Sequence, residues 1–382
     1  MITVIESPNQ LDLLTHNFSF KQKLRDIIAK IQITSELTIT YQDYEPLEID
    51  EHLKEYLKQI SPADRDRYLT VKLQQYIYDI LSLDLEEKDN SAVEMNSKLE
   101  DNGDLEEIAN YVNKWSRTKF YKQLTQNNHG QGYSDPNWRV IKQEGDYWQV
   151  TKNDLTLQIK PEKHLAEPLQ KLQPGKLVAI KMPPNLVDHG MYIAVGDAGS
   201  TNSQDSPEEF TIVQLYFNVN PDGAALLLDN LTRKLNAIKI PFDFKLAYDE
   251  SDFDDLDAVV LDIKSNDFEL VYAIVKNIYQ DNKSYFQPKV PFFCKFLAPG
   301  LGLAEKPQSP SFAKENIGQH YCGIIAQALV KLWRKNSLVD TNKLDYILTY
   351  LSKVGVDLEN LHLNPNSKET NLKHNKQLPS KT

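Results

Sequence analysis

Residues 211–263 read TIVQLYFNVNPDGAALLLDNLTRKLNAIKIPFDFKLAYDESDFDDLDAVVLDI, and this stretch decides the fold. Three apolar runs of strand length, TIVQLYF, PFDFKLAY and DAVVLDI, lack the length of a helix and are rich in β-branched and aromatic residues. Between the first two lies PDGAALLLDNLTRKLN, opened by Asn220 as cap and Pro221 at the first helical position. A helix follows the last run, from Ser265 to about Gln280. The order strand, helix, strand, strand, helix predicts an α+β fold: a mostly antiparallel sheet with helices against one face.

Upstream, WRVIK, YWQVT and LTLQI are short strands separated by the turn sequences EGD and KND, and KLVAIKM and MYIAV follow. A small polar loop spans Gly196–Glu209. Downstream, two helices are predicted over Ala313–Arg334 and Thr341–Val354, the second stopped by Gly355. The first hundred residues read as mainly helical, with helices at Phe20–Ile31, at Asp50–Ile60 and from Ser61, Pro62 and Asp64 onward. Leu37–Tyr41 alternates as a short strand. The polar, acidic run Glu86–Gly103 is the linker candidate. A further helix is expected from the Asp104/Glu107 capping box to about Leu124. The predicted organisation is an N-terminal helical region at 1–85, a linker at 86–103, an α+β domain at 104–361 and a disordered, lysine-rich tail at 362–382.

Composition narrows the function. A chain of 382 residues with 41% hydrophobic residues builds its core without disulfides or structural metals. Its two cysteines, Cys294 and Cys322, form neither a disulfide framework nor a metal knuckle, and are expected to be reduced and buried. The start of the chain lacks the pattern of a secretory signal and no run is long enough to span a bilayer, so a cytoplasmic protein is expected, with no membrane contact. A net charge of −11 disfavours nucleic acid, whose affinity comes mainly from neutralising phosphates. No phosphate-binding glycine loop, nucleophile elbow or paired metal-binding histidines occur, and neither a metal nor an organic cofactor is expected. The acidic run Asp249–Asp257 lacks the glycine and terminal glutamate of a calcium loop and reads as a solvated connection.

One segment concentrates polar chemistry: Asn127 to Trp138, NNHGQGYSDPNW. Its glycines let backbone amides approach a ligand, and His129, Tyr133 and Asp135 add an imidazole, a phenol and a carboxylate. The plain alternative is a capped turn between the helical region and the sheet.

This segment, with VAIKMPPNLVDHGMYIAVGDAG, VQLYFNVNPDGAALLLDNLTRKLNAIKIPFDFK, FQPKVPFFCKFLAPGLGLAEKP and NIGQHYCGIIAQALVKLW, resembles the HopA-type effector family over roughly Tyr111 to Leu361. Some relatives are the lyase component of class V lanthipeptide and thioamide-peptide pathways, in which a partner kinase phosphorylates serine or threonine of a precursor peptide and the HopA-like protein eliminates phosphate. The resemblance thus implies Lys245 of PFDFK as base or phosphate partner, His129 as proton donor to the leaving phosphate and Tyr133 as orienting donor. Lys181, Asp135 and His320 are the accompanying binding candidates. The chain departs from the pattern at two arginine positions, carrying Asp255 and Tyr321, neither of which supplies the planar fork that binds phosphate. The expected function is therefore a non-catalytic paralogue that binds a peptide or partner enzyme; the alternative is a phosphoserine/phosphothreonine lyase. The lyase requires Lys245, His129 and another lysine converging in one pocket.

Overall fold

The computed structural model describes residues 22–35, 38–41, 47–48, 51–82, 118–153, 155–165, 172–188, 190–201, 210–308, 315–335 and 343–367. In chain order the helices are α1 (22–30), α2 (Glu51–Gln59), α3 (Pro62–Ser82), α4 (Lys119–Asn127), α5 (Pro161–His164), α6 (Pro221–Ala237), α7 (Phe268–Asp281), α8 (Ile317–Arg334) and α9 (Lys343–Lys353). The strands are β1 (Ile31–Ser35), β2 (Thr38–Tyr41), β3 (Leu47–Glu48), β4 (Tyr133–Glu144), β5 (Tyr147–Lys152), β6 (Leu155–Ile159), β7 (Leu177–Met182), β8 (Asn185–Asp188), β9 (Met191–Val195), β10 (Ile212–Phe217), β11 (Phe242–Ala247), β12 (Val259–Lys264), β13 (Lys295–Ala298) and β14 (Leu301–Glu305). The fold class is α+β, as the 211–263 stretch predicts. The linker at 86–103 and the Asp104/Glu107 capping box lie outside the described residues.

The chain forms two compact units. The first takes the described residues up to 82, Val290–Ala298 and the described residues from Gly302 onward. Its helices α3 and α8 lie against each other. Gln74 donates to Glu315 and to the Gln319 carbonyl at 3.0 Å each, and Asn316 begins α8 with a capping box to Gln319. The helix expected at Phe20–Ile31 stops one residue short, because Ile31 and Ile33 open β1 instead, antiparallel to β2; alternating β-branched residues favour the extended chain there. Residues 362–367 of the expected tail are ordered in this unit, and the rest of it lies outside the described residues. His362, Leu363 and Asn364 are buried, and the buried Glu305 carboxylate accepts from the Asn364 amide nitrogen at 2.7 Å and the Ser367 hydroxyl at 2.7 Å. Both cysteines are buried in this unit and form no disulfide.

The second unit carries the described residues 118–289 with Pro299–Leu301. It holds two separate antiparallel sheets, where the sequence suggested one. The short strands make a four-stranded sheet in the order β6-β5-β4-β7, over a core of Trp138, Val140, Val150, Ile159, Val178 and Ile180. The decisive stretch builds the other, in which β10, β12, β11, β9 and β8 lie side by side. Strand β8 was not foreseen, since PPNLVD is short and begins with two prolines.

In this second sheet the two faces differ. Register pairs Phe244 with Leu261 and with Ala194, and Leu246 with Tyr192, so these share a face with Phe217, whose ring meets that of Phe244 edge-on. Helices α6 and α7 bury Leu227, Leu228, Leu231 and Leu235, and Val271, Val275 and Ile278, each fully buried side chain contributing about 1.5–3 kcal/mol. The opposite face carries Gln214, Tyr216, Asp262, Asp243 and Lys245, by the strict alternation of side chains along β10, β12 and β11.

Candidate functional site

The polar face of the second sheet contains a chain of hydrogen bonds. Lys245 Nζ donates to Asp262 Oδ2 at 2.8 Å; the lysine side chain is 23% exposed and the aspartate fully buried. Gln214 Nε2 donates to Asp262 Oδ1 at 2.9 Å, and the Tyr216 hydroxyl donates to Gln214 Oε1 at 2.9 Å. Directly across the ladder from Asp262 stands Asp243. Its Oδ2 accepts from Ser200 Oγ at 2.9 Å, from the Thr201 backbone N–H at 2.9 Å and from the Thr201 hydroxyl. Burial pushes the Asp243 carboxyl above its ordinary range; the Thr201 hydrogen bond opposes this, and the Asp262 charge adds to it.

That raised value has a consequence for stability. The native state holds the Asp243 proton more tightly than the unfolded chain does, so stability falls as pH rises from the ordinary carboxylate value through the raised one. Asp243→Asn keeps an oxygen for Ser200 and Thr201 and removes the titration. We expect its urea-unfolding free energy to vary less between about pH 4 and about pH 7, the difference in slope reaching at most about 1.4 kcal/mol per pH unit. An unchanged slope would show that Asp243 titrates normally.

Tyr133 is buried at the start of β4, opposite Met182. Burial pushes its phenol up to about 12, helped by the charges of Asp135 and Asp243. The charge of Asp243 thus bears on Tyr133, while Lys245 pairs with Asp262 across the ladder from it. The expected turn is shorter than the sequence suggested: it covers 128–132, and Tyr133–Trp138 already belong to the strand, with a register shift between Asp135 and Trp138.

His129 is placed elsewhere. Its backbone N–H donates to Thr232 Oγ1 of α6 at 3.1 Å, and its Nε2 lies 2.6 Å from Asp229 Oδ1 and 2.9 Å from Arg233 Nη2. Arg233 also donates to Asp229 at 2.7 Å. Burial raises the Asp229 carboxyl, but the His129 and Arg233 hydrogen bonds outweigh it and hold the group below its ordinary range. The neighbouring Asn128 donates to the Tyr192 hydroxyl at 3.0 Å, and Tyr192 belongs to the helix-covered face through its register with Leu246. Lys245, adjacent to Leu246, points to the other face. Lys245 and His129 thus have different carboxylate partners, Asp262 of β12 and Asp229 of α6.

The remaining candidates are scattered. Asp135 accepts from the Trp138 indole at 2.6 Å and from Lys152 Nζ at 2.7 Å, which fixes the strand rather than leaving a carboxylate open. Lys181 is exposed on β7, in register with Ser134. His320 is buried in α8 of the first unit, where desolvation lowers its imidazole below the ordinary value. Tyr321 is buried beside it and donates to the Leu363 carbonyl. Asp255 is exposed at the end of a 3-10 turn, its N–H on the Asp252 carbonyl. Among the described residues no group of three His, Cys, Asp or Glu is arranged to hold a metal, and no helix is long and apolar enough to cross a membrane.

Sequence reasoning passed over Asp243, Asp262, Gln214 and Asp229. The signal was present for the first three: polar residues at alternate positions of otherwise apolar strands, in TIVQLYF, PFDFKLAY and DAVVLDI.

Residues 182–363 match the model of the HopA1 effector protein family, a narrower span on the N-terminal side than the resemblance suggested. Among solved structures, the chain is similar to the effector protein from Pseudomonas syringae pv. syringae strain 61, with 16% identity and a TM-score of 0.34, over 45% of this chain and 62% of that one. It is also similar to the effector protein from Pseudomonas syringae pv. tomato strain DC3000, with 12% identity and a TM-score of 0.38, over 78% of this chain and 98% of that one. The chain therefore spans about 62% of the first of these structures. No curated protein matches it.

Proposed function

We propose, from the premise that residues 182–363 carry the HopA1 effector family region, that this chain is a binding member of that family which holds a peptide or protein partner in the cytoplasm and does not eliminate phosphate. The observation that carries this reading is the pairing of the cations with carboxylates. Lys245 is engaged by Asp262 at 2.8 Å, with Asp243 across the ladder. His129 and Arg233 share Asp229 at 2.6 and 2.7 Å. A phosphate dianion brought to Lys245 meets two carboxylates on the same face, and one lysine does not offset both. Phosphate elimination needs a base for a weakly acidic Cα proton and cations for the leaving group. Tyr133, at about 12, stays protonated at neutral pH and serves as a donor, not a base. A kinase, or the precursor peptide that such a kinase modifies, fits this reading as a partner.

The test uses the full chain and a pool of phosphoserine- and phosphothreonine-containing peptides with their unphosphorylated counterparts. We expect the immobilised chain to retain unphosphorylated members, and mass spectrometry of the pool to find no dehydroalanine or dehydrobutyrine. A dehydrated product that depends on the protein overturns the reading in favour of the lyase.

A further inference from the structure

The outer face of the β6-β5-β4-β7 sheet holds a built cleft outside the family-matched region. Arg139 of β4 stands in register with Thr151 of β5 on one side and Leu177 of β7 on the other. With Asn137, Lys152 and Asn153 they line an open cleft of about 340 Å3. Arg139 has no carboxylate partner among the described residues, whereas Arg233 and Arg334 are paired to Asp229 and Asp66. Lys152 differs: alternation turns its side chain to the Val150 side of the sheet, where its ammonium donates to Asp135 at 2.7 Å and to the Pro136 carbonyl at 2.8 Å, which cancels its charge. Asn137 and Asn153 both adopt the left-handed conformation, with φ of 66° and 47°. Asparagine tolerates that conformation better than most residues. Leu177, 51% exposed, supplies an apolar wall.

We propose that this cleft binds one side-chain carboxylate of a peptide, with an apolar neighbour of that residue lying on Leu177. The guanidinium fork matches a carboxylate through two parallel hydrogen bonds, and the Asn153 amide adds a further donor. The charge balance selects a monoanion. Among the described residues of the cleft Arg139 is the one uncompensated cation, which neutralises a carboxylate but not a phosphate dianion, and a chain of net charge −11 repels the dianion more strongly. This holds whether or not the chain eliminates phosphate, since it uses none of the residues of the polar face.

The full chain labelled with 15N at arginine provides the test, because its seven arginines give few Nε–Hε resonances and Arg139→Gln assigns the one in the cleft. Acetyl-Leu-Glu-Leu-amide is expected to shift the Arg139 resonance saturably, and acetyl-Leu-Gln-Leu-amide to bind about tenfold more weakly, the difference between a charge-assisted and a neutral hydrogen-bonded pair. Unchanged positions of the other arginine resonances in Arg139→Gln show that the variant is folded. Equal shifts from both peptides, no shift from the glutamate peptide, or saturation by inorganic phosphate at a lower concentration than the glutamate peptide each overturn the proposal.

Discussion

Replacing Lys245 with methionine is expected to remove about 3–5 kcal/mol of stability at neutral pH, the cost of leaving a buried charge without its partner. The partner is Asp262, fully buried and 2.8 Å from the ammonium, and Asp243 faces it across the ladder. Without the lysine, two carboxylates share one face of a sheet with no cation between them. Their mutual repulsion raises the proton affinity of the pair. The sign of the pH dependence follows: the variant regains stability as pH falls and one carboxylate takes a proton in the native state. Urea unfolding at neutral and mildly acidic pH reads both effects. The double variant Lys245→Met, Asp262→Asn is expected to recover most of the loss, because an amide in place of the carboxylate needs no counter-ion. A Lys245→Met protein as stable as the parent at neutral pH would show that the lysine is not held for structure, and would restore it as a candidate for chemistry.

The second large effect is expected at Gly132, in the turn after His129. Its φ is +95°, and a Cβ there would be driven into the carbonyl oxygen of Met182. That obstacle is backbone, so no side-chain rotation relieves it. Gly132→Ala is expected to cost about 2–5 kcal/mol, from conformational strain and displacement of β7 together. Gly145 is the control. It also has a positive φ, +60°, but nothing lies within 4 Å of a Cβ built on it, so Gly145→Ala should cost only about 1–2 kcal/mol. Thermal unfolding of the two variants separates strain from close approach. Equal losses would mean that the β4 turn yields easily and that Gly132 is not needed for its close approach to β7.

The two glycines look alike in the sequence, as do several of the charged residues. Helix α6 was legible because Asn220, Pro221 and a leucine repeat state its start and its buried face locally; Asn220 Oδ1 indeed accepts from the Gly223 N–H at 2.8 Å. Strands β10, β11 and β12 were legible because short β-branched and aromatic runs have few other stable forms. The end of α1 was not, since helix and strand compete evenly at Ile31 until β2 offers a partner. Nor was the division of the β-region into two sheets, which depends on which strands pair and not on what each contains.

The sequence by itself determined the α+β class, the main strands and helices of the 211–263 stretch, and a negatively charged chain with two buried thiols, because these follow from local periodicity and composition. Only the tertiary structure decided which charges meet. His129 and Lys245 are both candidates in the sequence, yet alternation along β11 turns the lysine toward Asp262 while the His129 N–H donates to Thr232 of α6. The face on which a side chain emerges, and the residue opposite it, are set by strand register, and register is a property of pairs of strands that no single segment contains.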